Sequence, residues 1–428
     1  MTPERRITER RDQQPRAFIV TGLGFGDCGK GTVTDALTRR FDARLVVRFN
    51  GGAQAGHNVV LPDGRHHTFA QFGAGTFVEG VRTHLAAQVV VHPTALAVEA
   101  DYLARVRVSD AWSRLTVDPR CLVTTPFHQA AGRLRERLSR HGTCGVGVGE
   151  TVRDALAHAD DALRMSELHD RGVGDLLERI RARLFQSLPI AVEKDADWLL
   201  LQDPELARRW LDLVRALPLR LVTDEEVAHA HREHPIVFEG AQGILLDEHH
   251  GFHPHTTWST CTARHALHWL RASPHRVERV GVLRSTLTRH GAGPLPSESA
   301  ELSARLPEPH NQSAGWQGAF RVGWFDPILL RYAMAANGGV DWLALTHVDR
   351  QQARFVEGYA FEPRTLTAPE GSPERLIQQA ALTRALERAA PMLAPIPDQA
   401  FADWVERTLG APVGVTSHGP THEDKRWR

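Results

Sequence analysis

The strongest constraint on the fold is a glycine-rich turn near the start of the chain. It lies at residues 22–32, after a short apolar run at 17–20 and before a stretch with helical spacing at 33–40. A second apolar run follows at 45–49. A strand, turn, helix and second strand within about thirty residues are typical of the βαβ unit of a parallel sheet. The pattern therefore predicts an α/β protein.

The same alternation continues along the rest of the chain. Further apolar runs predict strands, at 88–91, 236–238, 280–283 and 342–345. Helical spacing predicts helices between or after them, at 94–105, 129–140, 176–185, 205–216, 327–336 and 373–389. Because no repeat or Pro/Gly/Ser-rich linker divides the chain, we expect one domain over 17–428. Its fold class is α/β, with a large, mostly parallel central sheet, a P-loop-like phosphate loop, flanking helices and helical insertions.

Composition excludes several classes of protein. Residues 1–16 are charged and lack apolar periodicity, so we expect a disordered tail; a mitochondrial address is the alternative, but acidic residues break its usual pattern. The 428 residues include 51 basic and 51 acidic side chains, a balance that disfavours nucleic-acid binding. No apolar run reaches the roughly 20 residues that span a membrane. Four cysteines without a paired motif favour a reducing compartment, and we expect a cytoplasmic protein.

The turn itself has the features of a phosphate loop. From Gly24 it fits G-x-x-x-x-G-K, although Gly31 stands where a Walker loop has Ser or Thr, which comes one residue later as Thr32. Between a strand and a helix, such a loop directs backbone N–H groups at an anion, and glycines let the backbone approach it. Lys30 is one of only three lysines, against 48 arginines. Its position favours a charged ligand, whereas Lys425 is expected to be an ordinary surface lysine.

Two other interpretations of the loop remain at this point. Gly22-x-Gly24-x-x-Asp27 is half of a dinucleotide-binding fingerprint, but Asp27 replaces the third glycine and would repel a pyrophosphate. The loop could also be a purely structural turn. An aspartate inside a phosphate loop is explained if Mg²⁺ lies between its carboxylate and the phosphates.

The chain resembles the adenylosuccinate synthetase family in six ordered blocks. The family patterns are W-G-D-E-G-K-G-K, R-Y-x-G-G-x-N-A-G-H-T, F-E-G-A-Q-G-x-L-L-D, T-R-x-G-x-G-P-x-P, R-x-G-W-x-D and S-x-G-P. They are matched here at residues 25–32, 48–58, 238–247, 288–296, 321–326 and 417–420. The resemblance therefore covers nearly the whole chain.

The resemblance implies a reaction and a role for each matched residue. The family phosphorylates O6 of IMP with GTP, and aspartate then displaces the phosphate to give adenylosuccinate. Asp27 would be the general base and a Mg²⁺ ligand, joined in that second role by the carbonyl of Gly56, and His57 and Lys30 would act on the phosphoryl group. The implied nucleotide-binding residues are Gly26, Gly29, Gly31, Thr32, Asn58, His347, Asp349, Ser417 and Gly419. The implied substrate-binding residues are Gln54, Thr143, Cys144, Gln242, Thr257, Arg289 and Arg321.

Several positions depart from the family pattern. Cys144 and Val146 replace two residues of the T-T-G-R-G loop that holds the IMP phosphate, and Gln54 replaces an asparagine. His347 replaces the lysine of the guanine-reading T-K-x-D. An arginine that family members donate from a second subunit has no clean match; Arg153 and Arg164 are nearest.

The largest departure is the arginine-rich T-T-G-R-x-R loop that binds aspartate. Here it reads Ser-Ala-Gly-Trp-Gln-Gly-Ala-Phe-Arg at 313–321, which leaves Arg321 as a carboxylate fork. We therefore expect the acceptor to be activated as in the family. We also expect an amine site that aspartate does not fit well.

The sequence predicts a GTP-dependent, C–N bond-forming ligase with small-molecule nucleotide and amine substrates, acting as a homodimer. A paralogue with another acceptor or amine, and a catalytically silent nucleotide-binding protein, remain as alternatives. A further alternative is a zinc site among four histidines between 249 and 255; irregular spacing favours loop histidines.

Overall fold

The fold was taken from a computed structural model that describes residues 14–139, 142–189, 195–308, 316, 318–361, 363–364 and 366–428. The strands are β1 (Arg16–Gly22), β2 (Leu45–Arg48), β3 (His57–Val60), β4 (His66–Phe69), β5 (Arg82–Leu85), β6 (Val90–Val91), β7 (Leu115–Val117), β8 (Leu122–Val123), β9 (Ile236–Glu239), β10 (Arg276–Arg284), β11 (Leu287–His290), β12 (Phe320–Gly323), β13 (Trp342–Thr346), β14 (Arg354–Gly358), β15 (Met392–Pro395), β16 (Val413–Ser417) and β17 (Lys425–Trp427).

The α-helices of the described residues flank these strands. They are α1 (Lys30–Arg40), α2 (Pro93–Arg105), α3 (Pro126–Ser139), α4 (Val148–Ala157), α5 (Val173–Gln186), α6 (Ala196–Gln202), α7 (Leu206–Arg215), α8 (Asp224–Ala230), α9 (Arg264–Trp269), α10 (Ala300–Arg305), α11 (Pro327–Ala336), α12 (Pro373–Glu387) and α13 (Phe401–Leu409). No helix of the described residues is long and apolar enough to cross a membrane.

A nine-stranded sheet forms the centre, in the order β17-β16-β13-β10-β1-β9-β2-β5-β7. Its pairs are parallel except β16–β17. The prediction of a mostly parallel central sheet with flanking helices is confirmed. A parallel sheet needs cover on both faces, which explains the continuous apolar run at residues 17–20 of β1.

Strand β1 packs against helices on its two faces. Phe18 lies in one buried cluster with Val33 and Leu37 of α1. Ile19 lies in another cluster, which includes Ala266 of α9. Burying each such large side chain contributes about 1.5–3 kcal/mol. A separate cluster joins α2, α3, α5, α6 and α7 to side chains of strands β3 to β8.

Some elements differ from the predictions. Strand β1 begins at Arg16, one residue before the predicted start, and residues 1–13 of the predicted tail lie outside the described residues. The run at 88–91 is not part of the central sheet: only Val90–Val91 is a strand, and it pairs with β8 in a two-stranded sheet. Strands β5, β7, β16 and β17 of the central sheet were not predicted. The sequence of strand β5 does not form an apolar run, because two of its buried residues are the polar Thr83 and His84.

Candidate active site

The segments that carry the sequence motifs follow the carboxyl ends of the parallel strands, at one edge of the sheet. The phosphate loop follows β1, the segment leading to His57 follows β2, and Gln242 follows β9. His347 follows β13, and Ser417 ends β16. Ligands of open α/β sheets bind at this edge. The topology therefore gathers the residues that sequence reasoning assigned to one site.

The phosphate loop has the backbone of an anion cradle. Gly26 and Gly29 have φ of 99° and 88°, and Asp27 has φ of 48°. Nothing lies within 4 Å of a Cβ built at Gly26, so this side of the loop is open to a ligand. At Gly31 the reason for glycine is different, because a Cβ there would lie 2.9 Å from the carbonyl oxygen of Asn58. That glycine lets α1 pack against β3.

Lys30 is the buried cation of the loop. It begins α1 and is 4% exposed. Its Nζ donates to the carbonyl of Gln242 and lies 3.9 Å from Sγ of Cys28. A single point charge thus sits where the loop meets the helix N-terminus, the position at which a phosphate is most stabilised.

His57 and Glu239 form a buried pair. His57 Nδ1 lies 2.7 Å from Glu239 Oε1, and Glu239 is completely buried. Glu239 Oε2 accepts the N–H of Ala74 at 2.9 Å. Burial lowers the pKa of His57 to about 4, against the opposing effect of the Glu239 carboxylate. His57 is therefore uncharged at neutral pH before a ligand binds.

Four polar atoms around this pair are buried without a hydrogen-bond partner in the described part of the chain. They are Nε2 of His57, Oε1 of Gln54, and Oε1 and Nε2 of Gln242. Gln242 also has a positive φ, of 52°. Buried polar atoms in proteins are almost always paired, so an unpaired group marks a place where a ligand supplies the partner.

Asp27 and Gly56 offer oxygen atoms for a metal ion. The carboxylate of Asp27 is 28% exposed, with Nε2 of His290 3.5 Å from its Oδ2, and Gly56 is exposed. A partly open carboxylate and a backbone carbonyl are ligands that Mg²⁺ accepts. The donor set fits the predicted metal, and His290 is a neighbour that sequence reasoning missed.

The predicted base-binding residues lie around the ends of β13 and β16. His347 is in the left-handed region with φ of 55°, and burial holds its pKa well below the usual range. Asp349 is half-exposed. Ser417 Oγ donates to the carbonyl of Gly419 at 3.1 Å, and Thr32 Oγ1 donates to the carbonyl of Pro420 at 2.9 Å. The latter contact joins the phosphate loop to the C-terminal block.

Lys425 corrects an expectation, because it is not an ordinary surface lysine. It is 7% exposed, and its Nζ donates to the carbonyls of Gly419 and Thr421. Burial lowers its pKa to about 8. The side chain holds the loop after Ser417 in place.

The segment matched to the acceptor's phosphate loop is held by charged groups of α3. The carboxylate of Glu136 accepts the N–H groups of Gly142 at 2.7 Å and Thr143 at 3.2 Å. Arg133 Nε donates to the carbonyl of Gly145 at 2.9 Å. Burial raises the pKa of the Cys144 thiol, which is therefore uncharged. Thr143, one of the residues predicted to bind the acceptor nucleotide, therefore already donates its N–H to the Glu136 carboxylate.

Two further residues of the predicted set are held by neighbouring backbone or side-chain groups. Thr257 donates its N–H to the carbonyl of Leu246 at 2.8 Å, which ties it to the segment after Gln242. Asn58 lies on β3, where its Oδ1 accepts from Thr68 Oγ1.

Trp316 closes one side of a cleft of about 490 Å³. The cleft is lined by Glu136, Arg137, Gly142, Gly291, Ala292, Trp316 and Gly318. A Cβ built at Gly145 would lie 2.9 Å from the indole. Residues 309–315 and 317 of the altered amine loop lie outside the described residues.

The two arginines expected to bind substrate carboxylate are already engaged. Arg289 Nε, Nη1 and Nη2 each donate to a backbone carbonyl, of Ala292, Pro294 and His255, and burial lowers its pKa to about 9. Arg321 pairs with Glu298 at 2.7 Å and donates to the carbonyl of Gly293 at 2.7 Å. Arg289 therefore holds its own loop together rather than offering a fork to a ligand.

The histidine-rich segment does not form a metal cluster among the described residues. Asp247 Oδ1 accepts the N–H groups of His249 and His250, and His250 Nδ1 lies 2.9 Å from Arg375. The group with metal-ligand proximity is elsewhere, at His84, Asp118 and Asp224. Arg120 lies 2.7 Å from Asp118 and 3.5 Å from Asp224, so these carboxylates already have a cation.

Comparison with known proteins gives one consistent result. A family model described as adenylosuccinate synthetase matches residues 19–425. Adenylosuccinate synthetase 2 of Chromobacterium violaceum is 30% identical over 434 residues, covering 95% of this chain and 96% of that protein. The structure of fully ligated adenylosuccinate synthetase from Plasmodium falciparum has a TM-score of 0.74 at 19% identity, covering 96% of this chain and 99% of that chain. The succinoaminodeoxyadenylate synthetase of cyanophage S-2L, solved with dGMP and dATP, has a TM-score of 0.61 at 17% identity, covering 97% and 95%.

Proposed function

Because the chain belongs to the adenylosuccinate synthetase family, whose members are ligases that form a C–N bond, we propose its reaction as follows. The protein phosphorylates the 6-oxo group of IMP or a related purine nucleotide with GTP, and joins the activated carbon to the amino group of aspartate or another amine. The observation that carries the proposal is the set of buried polar atoms, on His57, Gln54 and Gln242, that lack a partner among the described residues beside the phosphate loop. A bound ligand would pair them, and Asp27 and Lys30 of the same loop add the base and the cation that phosphoryl transfer uses.

In the first step Asp27 takes the N1 proton of the purine, which makes O6 a nucleophile. The O6–P bond forms as the bond between the γ-phosphorus and the bridging oxygen breaks, and GDP leaves with the electron pair. Lys30 neutralises phosphate charge, and Nε2 of His57 faces the phosphoryl oxygens. The negative charge of the nucleotide favours the imidazolium, so binding raises the pKa of His57 from its low value.

Members of the family use Mg²⁺ as a cofactor and GTP as a substrate. Asp27 and the carbonyl of Gly56 are the residues that would hold the ion. Bound there, Mg²⁺ would neutralise phosphate charge and orient the phosphates.

In the second step the amine nitrogen bonds to C6 while the C6–O bond breaks. Inorganic phosphate leaves with the electron pair, and the amine nitrogen gives up its protons to solvent or to a nearby base. Oε1 of Gln54 and both amide atoms of Gln242 lack a partner among the described residues, and these atoms would orient the acceptor. Thr143, Cys144 and Thr257 complete the acceptor side.

For the nucleotide base, we propose that Asp349 accepts from the guanine N1–H and amino groups. Its carboxylate is half-exposed and close to His347 and Arg350. On the strength of the family resemblance, we further propose that the protein is cytoplasmic and forms a homodimer. Light scattering of the purified protein tests the dimer.

The reaction is tested by incubating the protein with GTP, IMP, Mg²⁺ and a panel of amino acids, followed by mass spectrometry. We expect phosphate release that needs the acceptor, and a product whose mass equals IMP plus amine minus water. Stabilisation by GTP without phosphate release under any pairing would contradict the proposal.

A further inference from the structure

The ring of His57 is held by a carboxylate to which no role has been assigned. Glu239 is the last residue of β9 and is completely buried. Its Oε1 lies 2.7 Å from Nδ1 of His57, and its Oε2 accepts the N–H of Ala74 at 2.9 Å. Both oxygens of the carboxylate therefore have a partner.

The hydrogen bonds determine which nitrogen of His57 carries the proton. A carboxylate only accepts, so Nδ1 of His57 must donate its N–H to Oε1. In a neutral ring Nε2 then carries no proton. Nε2 is also the ring nitrogen that is buried beside the phosphate loop without a partner among the described residues. The Glu239 carboxylate thus lies on the Nδ1 side of the His57 ring, and the Nε2 side is left for a ligand.

We infer that Glu239 is a positioning residue, which sets the tautomer and the ring orientation of His57 so that Nε2 faces the phosphoryl group that is transferred. The inference rests on the proposed function for the role of His57. It adds a residue whose own atoms do not touch the substrate.

A second histidine–carboxylate pair provides a matched comparison. His84 on β5 is completely buried, and its Nε2 lies 2.8 Å from Oδ1 of Asp224. Asp224 Oδ2 accepts the N–H of Ala87 at 3.3 Å, as Glu239 does from Ala74. However, the other nitrogen of His84 is paired with Thr116 Oγ1 at 2.9 Å. Since both ring nitrogens are occupied, this pair is structural.

The substitution Glu239→Gln preserves volume but should reverse the tautomer. The amide has one accepting oxygen, which the N–H of Ala74 claims because a backbone N–H cannot accept. The amide NH₂ then faces Nδ1 of His57, which must present a lone pair. His57 would consequently carry its proton on Nε2, with the ring in the same place. The imidazolium that the bound nucleotide favours would then be disfavoured, because the amide NH₂ offers no acceptor to the N–H on Nδ1.

The test compares Glu239→Gln with Asp224→Asn by side-chain ¹⁵N NMR of histidine and by steady-state kinetics with GTP and IMP. We expect Glu239→Gln to move the His57 proton to Nε2 and to lower kcat by on the order of 10²-fold, with the KM for GTP changed by less than about threefold. Asp224→Asn should leave kcat and the His57 tautomer unchanged. Near-wild-type kcat in Glu239→Gln, or an equal loss in Asp224→Asn, overturns the inference.

A measurement on the unmodified protein keeps the inference testable if Glu239→Gln does not fold. The ¹⁵N spectrum must show His57 with its proton on Nδ1; a proton on Nε2 in the free protein would overturn the inference. Absence of acceptor-dependent phosphate release from the unmodified protein would instead count against the proposed function, and leaves the tautomer measurement valid.

Discussion

Two sides of the site differ in how their polar groups are paired. On the phosphate-loop side, polar atoms of His57, Gln54 and Gln242 are buried and lack a partner among the described residues. On the side of the β11–β12 hairpin, Nε, Nη1 and Nη2 of Arg289 each donate to a backbone carbonyl, and both Nη atoms of Arg321 are paired. Thr288 Oγ1 and Arg321 Nε are the buried hairpin atoms that lack a partner among the described residues. A buried polar group without a partner costs about 1–3 kcal/mol. The first side therefore keeps imidazole and amide atoms available to a ligand, whereas the two arginines of the second side are already engaged by protein groups.

The same contrast separates the two steps of the reaction. The groups proposed to activate the acceptor, Asp27, Lys30 and His57, match the family blocks and lie in or beside the open phosphate loop. The amine loop at 313–321 has lost the family's arginines except Arg321, which is paired with Glu298. The molecule thus keeps the phosphoryl chemistry and changes the surroundings of the nucleophile.

The largest effect is expected for Asp27→Asn, which attacks the activation side directly. Asn tolerates the positive φ of 48° at this position as Asp does, so the loop should keep its shape. Loss of the general base should lower kcat by on the order of 10²–10⁴-fold, while GTP still binds. Turnover is measured by phosphate release, and binding by calorimetry. Retention of near-wild-type turnover would show that another group is the base.

A smaller loss is expected for Lys30→Arg. The substitution keeps the charge but places a planar fork where the side chain is 4% exposed. We expect kcat to fall by about 10²-fold, comparable to removing one preorganised charge donor. Arg39→Lys, on the same helix and partly exposed beside Asp35, is the control and should keep full activity. Equal tolerance at both positions would mean that the loop does not hold a phosphate.

The amine side predicts weak use of L-aspartate, with a high KM or no product. Aspartate brings two carboxylates, and burying one without a cationic partner costs about 3–5 kcal/mol. Arg289 already donates to three backbone carbonyls, and Arg321 would have to leave Glu298. We expect another amine to react better in assays with IMP and GTP. Saturation at sub-millimolar aspartate would remove the distinction between the two sides.

The smallest effect concerns the nucleotide base. GTP should be preferred over ATP, and Asp349→Ala should erase the preference, because a carboxylate paired with guanine donors discriminates by roughly 1–3 kcal/mol. The preference is measured as the ratio of kcat/KM for GTP to kcat/KM for ATP, in the unmodified protein and in Asp349→Ala. The substitution should change the activity with ATP little. Indifference between the two nucleotides in the unmodified protein would exclude this role for Asp349.

Local patterns predicted the part of the fold that depends on them. The β1–loop–α1–β2 unit is found at the predicted place because an apolar run, a glycine turn and helical spacing follow one another. The strands β5 and β7 were missed because β5 buries polar side chains, among them His84, whose partners Thr116 and Asp224 lie far along the chain. Pairing of this kind leaves no local signal.

The site shows the same limit. The roles proposed for Asp27 and Lys30 come from the loop motif and the family resemblance, but the contact between His57 and Glu239 joins residues 182 positions apart. The only local sign of it was an acid at the end of the buried strand Ile236–Glu239. Lys425 was misjudged for the same reason, since burial against the carbonyls of Gly419 and Thr421 is a tertiary contact.

The central claim, that the activation side works independently of the amine, is tested most directly by positional isotope exchange. GTP labelled with ¹⁸O in the oxygen that bridges the β- and γ-phosphates is incubated with the protein, Mg²⁺ and IMP, and no amine is added. If O6 is phosphorylated reversibly, the β-phosphate of GDP rotates before GTP re-forms, and the label moves to non-bridging positions. We predict exchange that requires IMP and disappears in Asp27→Asn. No exchange in the unmodified protein, together with no release of phosphate, would contradict the account.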